Sequence, residues 1–205
     1  MRLKIYYREF FGQFDIVVMS VLAFVALAVA GPAWAQGAAW LWLLAGAVLY
    51  LMSEYFTHRF FFHMKPPKNA FLLKMVKRLH YDHHVVPNDL HLLFLPVWYS
   101  LPQMIAAALV SYWLAGTVPL AAAFFAGNLL TLLVYEWTHY VAHRPITPWT
   151  RFGKWMKKIH LWHHYKSEHY WFGVTNPLLD VLLGTFPPEK SVERSETARN
   201  LEAQG

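Results

Sequence analysis

The sequence contains no cysteine and has few charged residues for its length. Charged residues make up 15% of the 205 residues, whereas about 25% is usual in soluble domains. The absence of cysteine excludes disulfides and thiolate metal ligands. Asp, Glu, Lys and Arg are all missing from two long segments, residues 16–53 and 90–135. This shortage of charge indicates a chain that lies largely within a membrane.

The two uncharged segments are long enough to cross a membrane twice each. They contain 38 and 46 residues, which correspond to roughly 57 and 69 Å at ~1.5 Å per helical residue, or about two crossings each of a ~30 Å hydrocarbon core. Gly31-Pro32 and the segment from Ala115 to Pro119 interrupt them with residues that break helices. The sequence therefore predicts an all-α membrane protein with four transmembrane helices. The predicted spans are residues 15–33, 38–57, 92–114 and 118–140.

Basic residues lie on one side of these predicted spans. All 18 Lys and Arg residues come before the first span, between the second and third, or after the fourth. Because basic residues near span ends stay on the cytoplasmic side, both termini should face the cytoplasm. The short loops favour a bacterial inner membrane. The net charge of +6 indicates contact with anionic lipid headgroups and no nucleic acid partner.

Ten of the twelve histidines form four tight groups. One pair of histidines lies at the end of the second span and another at the end of the fourth. A His-x-x-His-His motif begins 17 positions after the last histidine of each pair. Residues at i, i+3 and i+4 lie on one side of a helix, so the groups can converge at the cytoplasmic side. The groups are His58 and His63; His80, His83 and His84; His139 and His143; and His160, His163 and His164. His91 and His169 stand apart and are expected to be ordinary hydrogen-bonded residues.

One pair departs from helical spacing. His58 and His63 are five residues apart, about 140° around an ideal α-helix, so the segment is expected to unwind or end between them. Glu54 lies four residues before His58, and Glu136 lies three before His139. A carboxylate within a membrane requires a partner, and both are expected to orient metal-bound imidazoles.

Ten imidazole nitrogens exceed the needs of one ion, which takes at most about six ligands. They predict two metal ions with about five ligands each and a position left open for oxygen or solvent. Paired, open, all-nitrogen sites favour two iron ions that activate O2, although zinc could occupy the same ligands in a purified sample. The predicted spans would then carry a cytoplasmic cap of short interfacial helices that holds this dimetal site.

The stretches between each histidine pair and its motif are basic and amphipathic. In the second, apolar residues from Trp149 to Ile159 share one face and basic residues take another, which is typical of a helix at the headgroup level. Thr147 is expected to cap this helix, with Pro148 in its first turn. Residues 1–186 are predicted to form one membrane-embedded domain, followed by a polar, flexible tail at 187–205.

The histidine groups and their neighbours resemble the integral-membrane fatty acid hydroxylase superfamily. The resemblance covers about residues 54–185 and is strongest to the fatty acid 2-hydroxylase branch. It rests on Glu54-Tyr55-x-x-His58-Arg59-Phe60-x-Phe62-His63, His80-x-x-His83-His84-x-x-Pro87-x-Asp89 and Phe172-Gly173-Val174-x-x-Pro177-Leu178-x-Asp180. It implies a di-iron monooxygenase that hydroxylates a fatty acyl chain with O2. It also implies that Asp180, like Glu54 and Glu136, is a candidate residue that supports the metal ligands without binding the metal.

Eukaryotic 2-hydroxylases often carry a fused cytochrome b5 domain, for which this sequence has no counterpart. Electrons are therefore expected from a separate donor of the cytochrome or ferredoxin type. Apolar residues between Trp171 and Phe186 could line an entrance for the acyl chain or anchor the protein at the membrane surface.

Two other functions stay open on the sequence. A desaturase, or a hydroxylase of sterol-like or isoprenoid lipids, would use the same metal chemistry. A membrane metal transporter or metal-binding scaffold would need ionisable groups along a path across the bilayer, and the predicted far half of this chain contains none.

Overall fold

The computed structural model describes residues 2–204, and within that range it contains helices and connecting segments but no strand. The predicted all-α class is confirmed. The helices are α1 (Arg2–Phe11), α2 (Phe14–Ala30), α3 (Ala38–Phe56), α4 (Ala70–Val76), α5 (Asp82–Val85), α6 (Leu90–Leu93), α7 (Val97–Ala115), α8 (Val118–His143), α9 (Arg151–Tyr165) and α10 (Leu178–Leu182). Tighter 3-10 turns are found at Gly31–Gln36, Glu189–Ser191 and Leu201–Gln204.

Three helical segments of the described chain are long and apolar enough to cross a membrane: Ala38–Phe62, Leu90–Ala115 and Val118–His143. A fourth span is present only if Lys4–Phe11 and Phe14–Ala30, which are bent by 79°, are counted together. The predicted first span at 15–33 ends early, because α2 stops at Ala30 and a 3-10 turn follows. The 17 residues of α2 cover roughly 26 Å, less than the ~30 Å of a hydrocarbon core.

The other predicted spans differ from the structure at their ends. The second helix continues beyond residue 57, through a wider turn that ends at Phe62. The third candidate span, Leu90–Ala115, begins two residues before the predicted start at 92, and within it Pro96 adopts an extended conformation between α6 and α7. The fourth helix runs three residues past 140, to His143, which places its last histidine within the helix.

The chain divides into two compact units. We call residues 1–51 and 95–134 the apolar unit, and residues 52–94 and 135–205 the histidine unit. Within the apolar unit, α3 and α8 touch through two glycines. A Cβ atom at Gly46 would lie 2.0 Å from the carbonyl oxygen of Phe124, and one at Gly127 would lie 2.0 Å from that of Leu43. Only glycine permits such a close approach of two backbones.

In the histidine unit, α9 begins three residues later than predicted. Thr150 takes the extended cap conformation, and its hydroxyl accepts a hydrogen bond from Gly153 N–H at 2.9 Å. The prediction that Thr147 caps this helix was therefore wrong, because Thr150 is the hydroxyl residue that directly precedes the first helical turn.

Lys157 joins α9 to the end of α8. Its Nζ donates to the carbonyl oxygens of Val141, Arg144 and Ile146 at 2.8, 2.6 and 2.9 Å. These carbonyls lie where α8 ends and its last turn lacks helical partners. A single ammonium group therefore fixes the two helices that carry His143 and His160.

The segment predicted to be a flexible tail, residues 187–205, has buried side chains within the histidine unit. Ala198 and Leu201 are each 1% exposed, and Leu201 packs with Val76 and Tyr81. Although residues 187–205 are mostly polar, these two apolar side chains give the segment a buried face.

Candidate metal centre

All ten histidines of the four sequence groups lie in the histidine unit and form two clusters. Within each cluster, one nitrogen of every ring lies within 4.8 Å of the others, so either cluster could hold a metal ion. Nine of the ten residues are buried, and the tenth, His63, is partly buried. Cluster 1 contains His58, His63, His80, His84 and His163. Cluster 2 contains His83, His139, His143, His160 and His164.

The two halves of the internal repeat exchange one histidine each. In both His-x-x-His-His motifs, the first and last histidines join the cluster of their own half, whereas the middle one, His83 or His163, joins the other cluster. In the second motif, which lies wholly within α9, the last histidine lies about 40° to one side of the first and the middle one about 60° to the other. Each motif therefore contributes to two clusters, and neither cluster is complete without both halves.

A wider helical turn brings His58 and His63 together. After α3 the chain forms a π-helical turn, Thr57–Phe62, in which His63 N–H donates to the carbonyl oxygen of His58 at 3.2 Å. Bonds between residues five apart widen the helix by about one residue per turn, so both rings face the same side. Their Nε2 atoms are 3.3 Å apart. The expected departure from an ordinary helix is confirmed: the helix widens after Phe56 and ends at Phe62, between the two histidines.

The ring nitrogens are spaced as the ligands of one ion would be. Nε2 of His80 lies 3.1, 2.9 and 3.0 Å from the Nε2 atoms of His58, His63 and His84. Two nitrogen ligands at right angles, each about 2.1 Å from an ion, are about 3.0 Å apart. One proton on His80 Nε2 could serve only one of its three contacts. The remaining lone pairs face one another, an arrangement that a cation between them would stabilise.

Cluster 2 shows the same spacing. The Nε2 atoms of His139 and His83 are 2.9 Å apart, as are those of His143 and His160. The rings of His84 and His164 stack with their centroids 4.0 Å apart, so members of the two clusters are in direct contact. The donor set of both clusters therefore fits a pair of adjacent metal ions.

Backbone carbonyl groups fix two rings of cluster 1 from behind. Nδ1 of His58 is hydrogen-bonded to the carbonyl oxygen of Phe172, and Nδ1 of His163 lies 2.8 Å from that of Tyr170. Because a carbonyl oxygen can only accept, both Nδ1 atoms carry the proton. Each Nε2 is then left with a lone pair that faces the cluster, the form required of a metal ligand.

These carbonyls belong to residues 170–175, which we call the carbonyl loop. Glu54 holds one end of it. Its Oε1 accepts hydrogen bonds from the N–H groups of Val174 and Thr175 at 2.7 and 2.9 Å, and its Oε2 accepts from the Thr175 hydroxyl at 2.6 Å. The sequence predicted that Glu54 orients an imidazole. The carboxylate bonds instead to the loop that orients His58.

Asp180 holds the middle of the carbonyl loop. Its Oδ1 accepts from Phe172 N–H at 2.8 Å and from the Thr185 hydroxyl at 2.7 Å, and its Oδ2 accepts from Gly173 N–H at 2.7 Å. Burial raises the pKa of Asp180 despite these hydrogen bonds, which lower it. A Cβ atom at Gly173 would lie 2.1 Å from the carbonyl oxygen of Asn176 and 2.8 Å from Asp180 Oδ2, so the loop needs glycine at this position.

Glu136 is buried on α8, three residues before His139. His91 and His169 lie outside both clusters, as expected. The backbone N–H of His91 donates to Asp89, and the side chain of His169 is 62% exposed, with Nε2 3.5 Å from Glu168.

Burial lowers the pKa of the histidines in both His-x-x-His-His motifs, and the neighbouring imidazoles lower it further. For His84 the pKa falls to about 3, although its hydrogen bond to Ala198 opposes the effect of burial. These rings are therefore neutral at physiological pH, the state in which imidazole binds a metal ion. The residues concerned are His80, His83, His84, His160, His163 and His164.

Sequence reasoning missed several groups around the clusters. The carbonyl oxygens of Tyr170 and Phe172 have no side-chain signal, because any residue could supply them. Glu168 is fully buried and did have a signal, since it is a carboxylate four residues after the last histidine of a predicted metal site.

These features together define an all-helical membrane protein with paired histidine clusters suited to metal binding. Residues 43–185 match the family described as Fatty acid hydroxylase. The chain belongs to this family, and the resemblance noted from its histidine groups is confirmed.

Known relatives agree with this assignment. The chain is 35% identical over 150 residues to fatty acid 2-hydroxylase of Rattus norvegicus, covering 71% of this chain and 39% of the relative. It is 31% identical over 160 residues to dihydroceramide fatty acyl 2-hydroxylase FAH1 of Arabidopsis thaliana, covering 75% and 64%. It is 33% identical over 149 residues to ceramide very long chain fatty acid hydroxylase SCS7 of Saccharomyces cerevisiae, covering 69% and 36%. The chain thus spans less than two thirds of the length of each.

One solved structure is similar over most of the chain. It is described as full-length scs7p with only its hydroxylase domain visible. The TM-score is 0.76 at 27% sequence identity, and the match covers 90% of this chain and 74% of the other.

Proposed function

We propose that this protein is an O2-dependent hydroxylase of fatty acyl chains that uses two iron ions. The proposal is carried by the two clusters of five imidazoles in a chain that belongs to the fatty acid hydroxylase family. The rat relative is named a fatty acid 2-hydroxylase, and the yeast relative is named for the very long chain fatty acid of ceramide. The proposed substrate is accordingly the acyl chain of a fatty acid or of a ceramide-like lipid.

The residues present fit two iron ions, one for each cluster. Each cluster supplies five imidazole nitrogens, and iron accepts imidazole in coordination shells of up to about six ligands. One position would remain open on each ion, whereas a closed tetrahedral zinc site needs only four ligands. Zinc could still fill the same clusters in a purified sample, because these donors discriminate poorly between divalent ions.

When bound, the iron pair would supply the activation of dioxygen. In the overall reaction, a C–H bond of the acyl chain, O2, two electrons and two protons give an alcohol and water. The electrons would come from a separate donor protein of the cytochrome or ferredoxin type.

The protein's own part is to hold the rings in place and to exclude water. We assign Glu54 and Asp180 as positioning residues, because they bind the backbone of the carbonyl loop that carries the acceptor for His58. Glu136, which is buried on α8 three residues before His139, is assigned a corresponding role at cluster 2. Preorganised ligands of this kind keep the reacting centre in a fixed geometry.

The proposed setting is a bacterial inner membrane, with four transmembrane helices and with the clusters and both termini on the cytoplasmic side. Large apolar side chains exposed on α2, α3 and α7 support membrane contact; Phe24, Leu41 and Leu109 are examples. Trp149 and Leu182 are exposed near the clusters' helices, which suits a surface that lies at the headgroup level. Residues 1–186 are proposed as the membrane-embedded hydroxylase domain.

Mass spectrometry of lipids from cells that express the protein tests the proposed activity. We expect acyl species that are one oxygen atom heavier with the parent chain and none with His83→Ala. His91→Ala, which alters an exposed histidine outside both clusters, should leave the product unchanged. Species that are two hydrogen atoms lighter would indicate desaturation instead. No lipid change with iron-loaded protein would contradict the proposal.

A further inference from the structure

Residues 195–204, called the C-terminal strap below, bind both the side chain and the backbone of His84. The carbonyl oxygen of Ala198 accepts a hydrogen bond from His84 Nδ1 at 2.7 Å. The guanidinium of Arg199 donates to the carbonyl oxygens of His84 and Val85 at 2.7 and 2.6 Å. Because α5 ends at Val85, these carbonyls belong to a helix end that needs outside donors.

A buried carboxylate anchors the strap at both of its ends. Oε1 of Glu168 accepts hydrogen bonds from the hydroxyl groups of Ser195, at 3.0 Å, and Thr197, and from the side-chain amide of Gln204 at 2.9 Å. Ser195 N–H also donates to the carbonyl oxygen of Lys166 at 2.7 Å. Glu168 is 0% exposed, and donors such as these, all of which bind Oε1, offset the cost of burying its carboxylate. These contacts fix the position of the Ala198 carbonyl that lies between them.

The hydrogen bond to Ala198 determines which nitrogen of His84 can bind a metal ion. Since the carbonyl oxygen accepts, Nδ1 carries the proton and Nε2 keeps its lone pair. That Nε2 lies 3.0 Å from Nε2 of His80 in cluster 1. The strap therefore supplies His84 with a backbone carbonyl that accepts from Nδ1, as the carbonyl loop does for His58 and His163.

We propose that the C-terminal strap supports metal binding by cluster 1. The carbonyl of Ala198 orients the ring of His84, and Glu168 is the positioning residue that holds Ala198 in place. The inference rests on the proposed function, because it takes cluster 1 to be a metal site. Simple covering of an apolar surface would account for the burial of Leu201. It would not account for a carbonyl directed at an imidazole or for a buried carboxylate with three donors from the same segment.

The test measures how fast metal ions leave the full-length protein. The parent chain and the variants Glu168→Ala, Glu168→Gln and Arg199→Leu are loaded with Fe²⁺, and release to an excess of chelator is followed together with helix content by circular dichroism. Loss of an outer hydrogen-bond partner typically weakens metal binding about 10–100-fold. We expect Glu168→Ala to release one of its two ions at least about tenfold faster. Glu168→Gln, which keeps an acceptor oxygen, should show a smaller effect.

A matched control and two backgrounds assign the effect to cluster 1. Glu193→Gln alters an exposed carboxylate that precedes the strap and should behave like the parent. Combined with His58→Ala and His63→Ala, which remove two ligands from cluster 1, Glu168→Ala should add nothing. Combined with His83→Ala and His143→Ala, which remove two ligands from cluster 2, it should keep its full effect.

Two results would overturn the inference. One is a Glu168→Ala protein whose strap is released, as shown by fast amide hydrogen exchange at residues 195–204, while both ions stay bound as in the parent. The other is equal acceleration of both ions. If Glu168→Ala does not fold, Arg199→Leu decides between the same outcomes. A parent chain that binds no pair of ions would instead refute the proposed function.

Discussion

The Nε2 atoms of His83 and His139 lie 2.9 Å apart, although His84, the next residue after His83, belongs to the other cluster. Two adjacent residues thus serve two different clusters. The second motif shows the same exchange of histidines between halves, because His163 belongs to cluster 1 with the histidines of the first half. Substitutions in one half of the repeat should therefore be able to remove ligands from both clusters.

Paired substitutions test this exchange. His83→Ala with His143→Ala removes two ligands from cluster 2 alone, so the protein should still bind one iron ion as tightly as the parent. His83→Ala with His84→Ala removes neighbours in the sequence but one ligand from each cluster, so both ions should bind more weakly. Native mass spectrometry counts the ions in each variant. The same loss from both double variants would contradict the exchange.

Gly173→Ala tests the packing of the carbonyl loop. Its new Cβ atom would lie 2.1 Å from the carbonyl oxygen of Asn176 and 2.8 Å from Asp180, so the loop must move. Overpacking of this kind costs about 1–3 kcal/mol, and we expect a lower unfolding temperature in detergent together with faster iron release. Gly31→Ala is the control, because nothing lies within 4 Å of its Cβ position. Equal unfolding temperatures for Gly173→Ala and Gly31→Ala would count against a rigid loop.

Glu54→Gln tests whether the loop is held by a charged acceptor. The carboxylate accepts three hydrogen bonds from Val174 and Thr175, and bonds to charged groups contribute about 1.5–3 kcal/mol each. The amide keeps the shape but presents a donor on one side. We expect lower thermal stability and faster loss of the cluster 1 ion, with Glu193→Gln unchanged. A variant that loses lipid oxidation but keeps its stability and both ions would show that Glu54 acts on the substrate instead.

Lys157→Met tests the connection between α8 and α9. The substitution keeps the length of the side chain and removes three hydrogen bonds to carbonyl groups. The loss of this donor from the three carbonyls should lower the free energy of unfolding by about 1–3 kcal/mol. Lys154→Met, on an exposed position of the same helix, provides the comparison in a chemical denaturation experiment. If both variants unfold alike, the three-way contact contributes nothing to stability.

The sequence allowed the helical class, the long apolar helices and all ten clustered histidines to be predicted, because hydrophobic length and helical spacing depend on local physics. It did not allow the exchange of His83 and His163 to be predicted. Spacing tells which side of a helix a residue faces, but not which other helix lies there. The same limit applies to His58 and His63, whose spacing excluded an ordinary helix without revealing the wider turn that replaced it.

The parts that escaped prediction depend on contacts distant in the sequence. Glu54 lies about 120 residues before the loop it binds, so its neighbours in the sequence suggested an imidazole partner instead. The polar composition of residues 187–205, which include the C-terminal strap, predicts a flexible tail. The order of the strap comes from Ala198, Leu201 and the buried Glu168, which meet only in the folded chain.

Anomalous X-ray scattering at the iron edge, from crystals of iron-loaded protein, tests the central claim most directly. We expect two neighbouring peaks, one among the Nε2 atoms of His58, His80 and His84 and the other beside those of His83 and His139. A single peak, or iron bound anywhere else in the chain, would contradict the account.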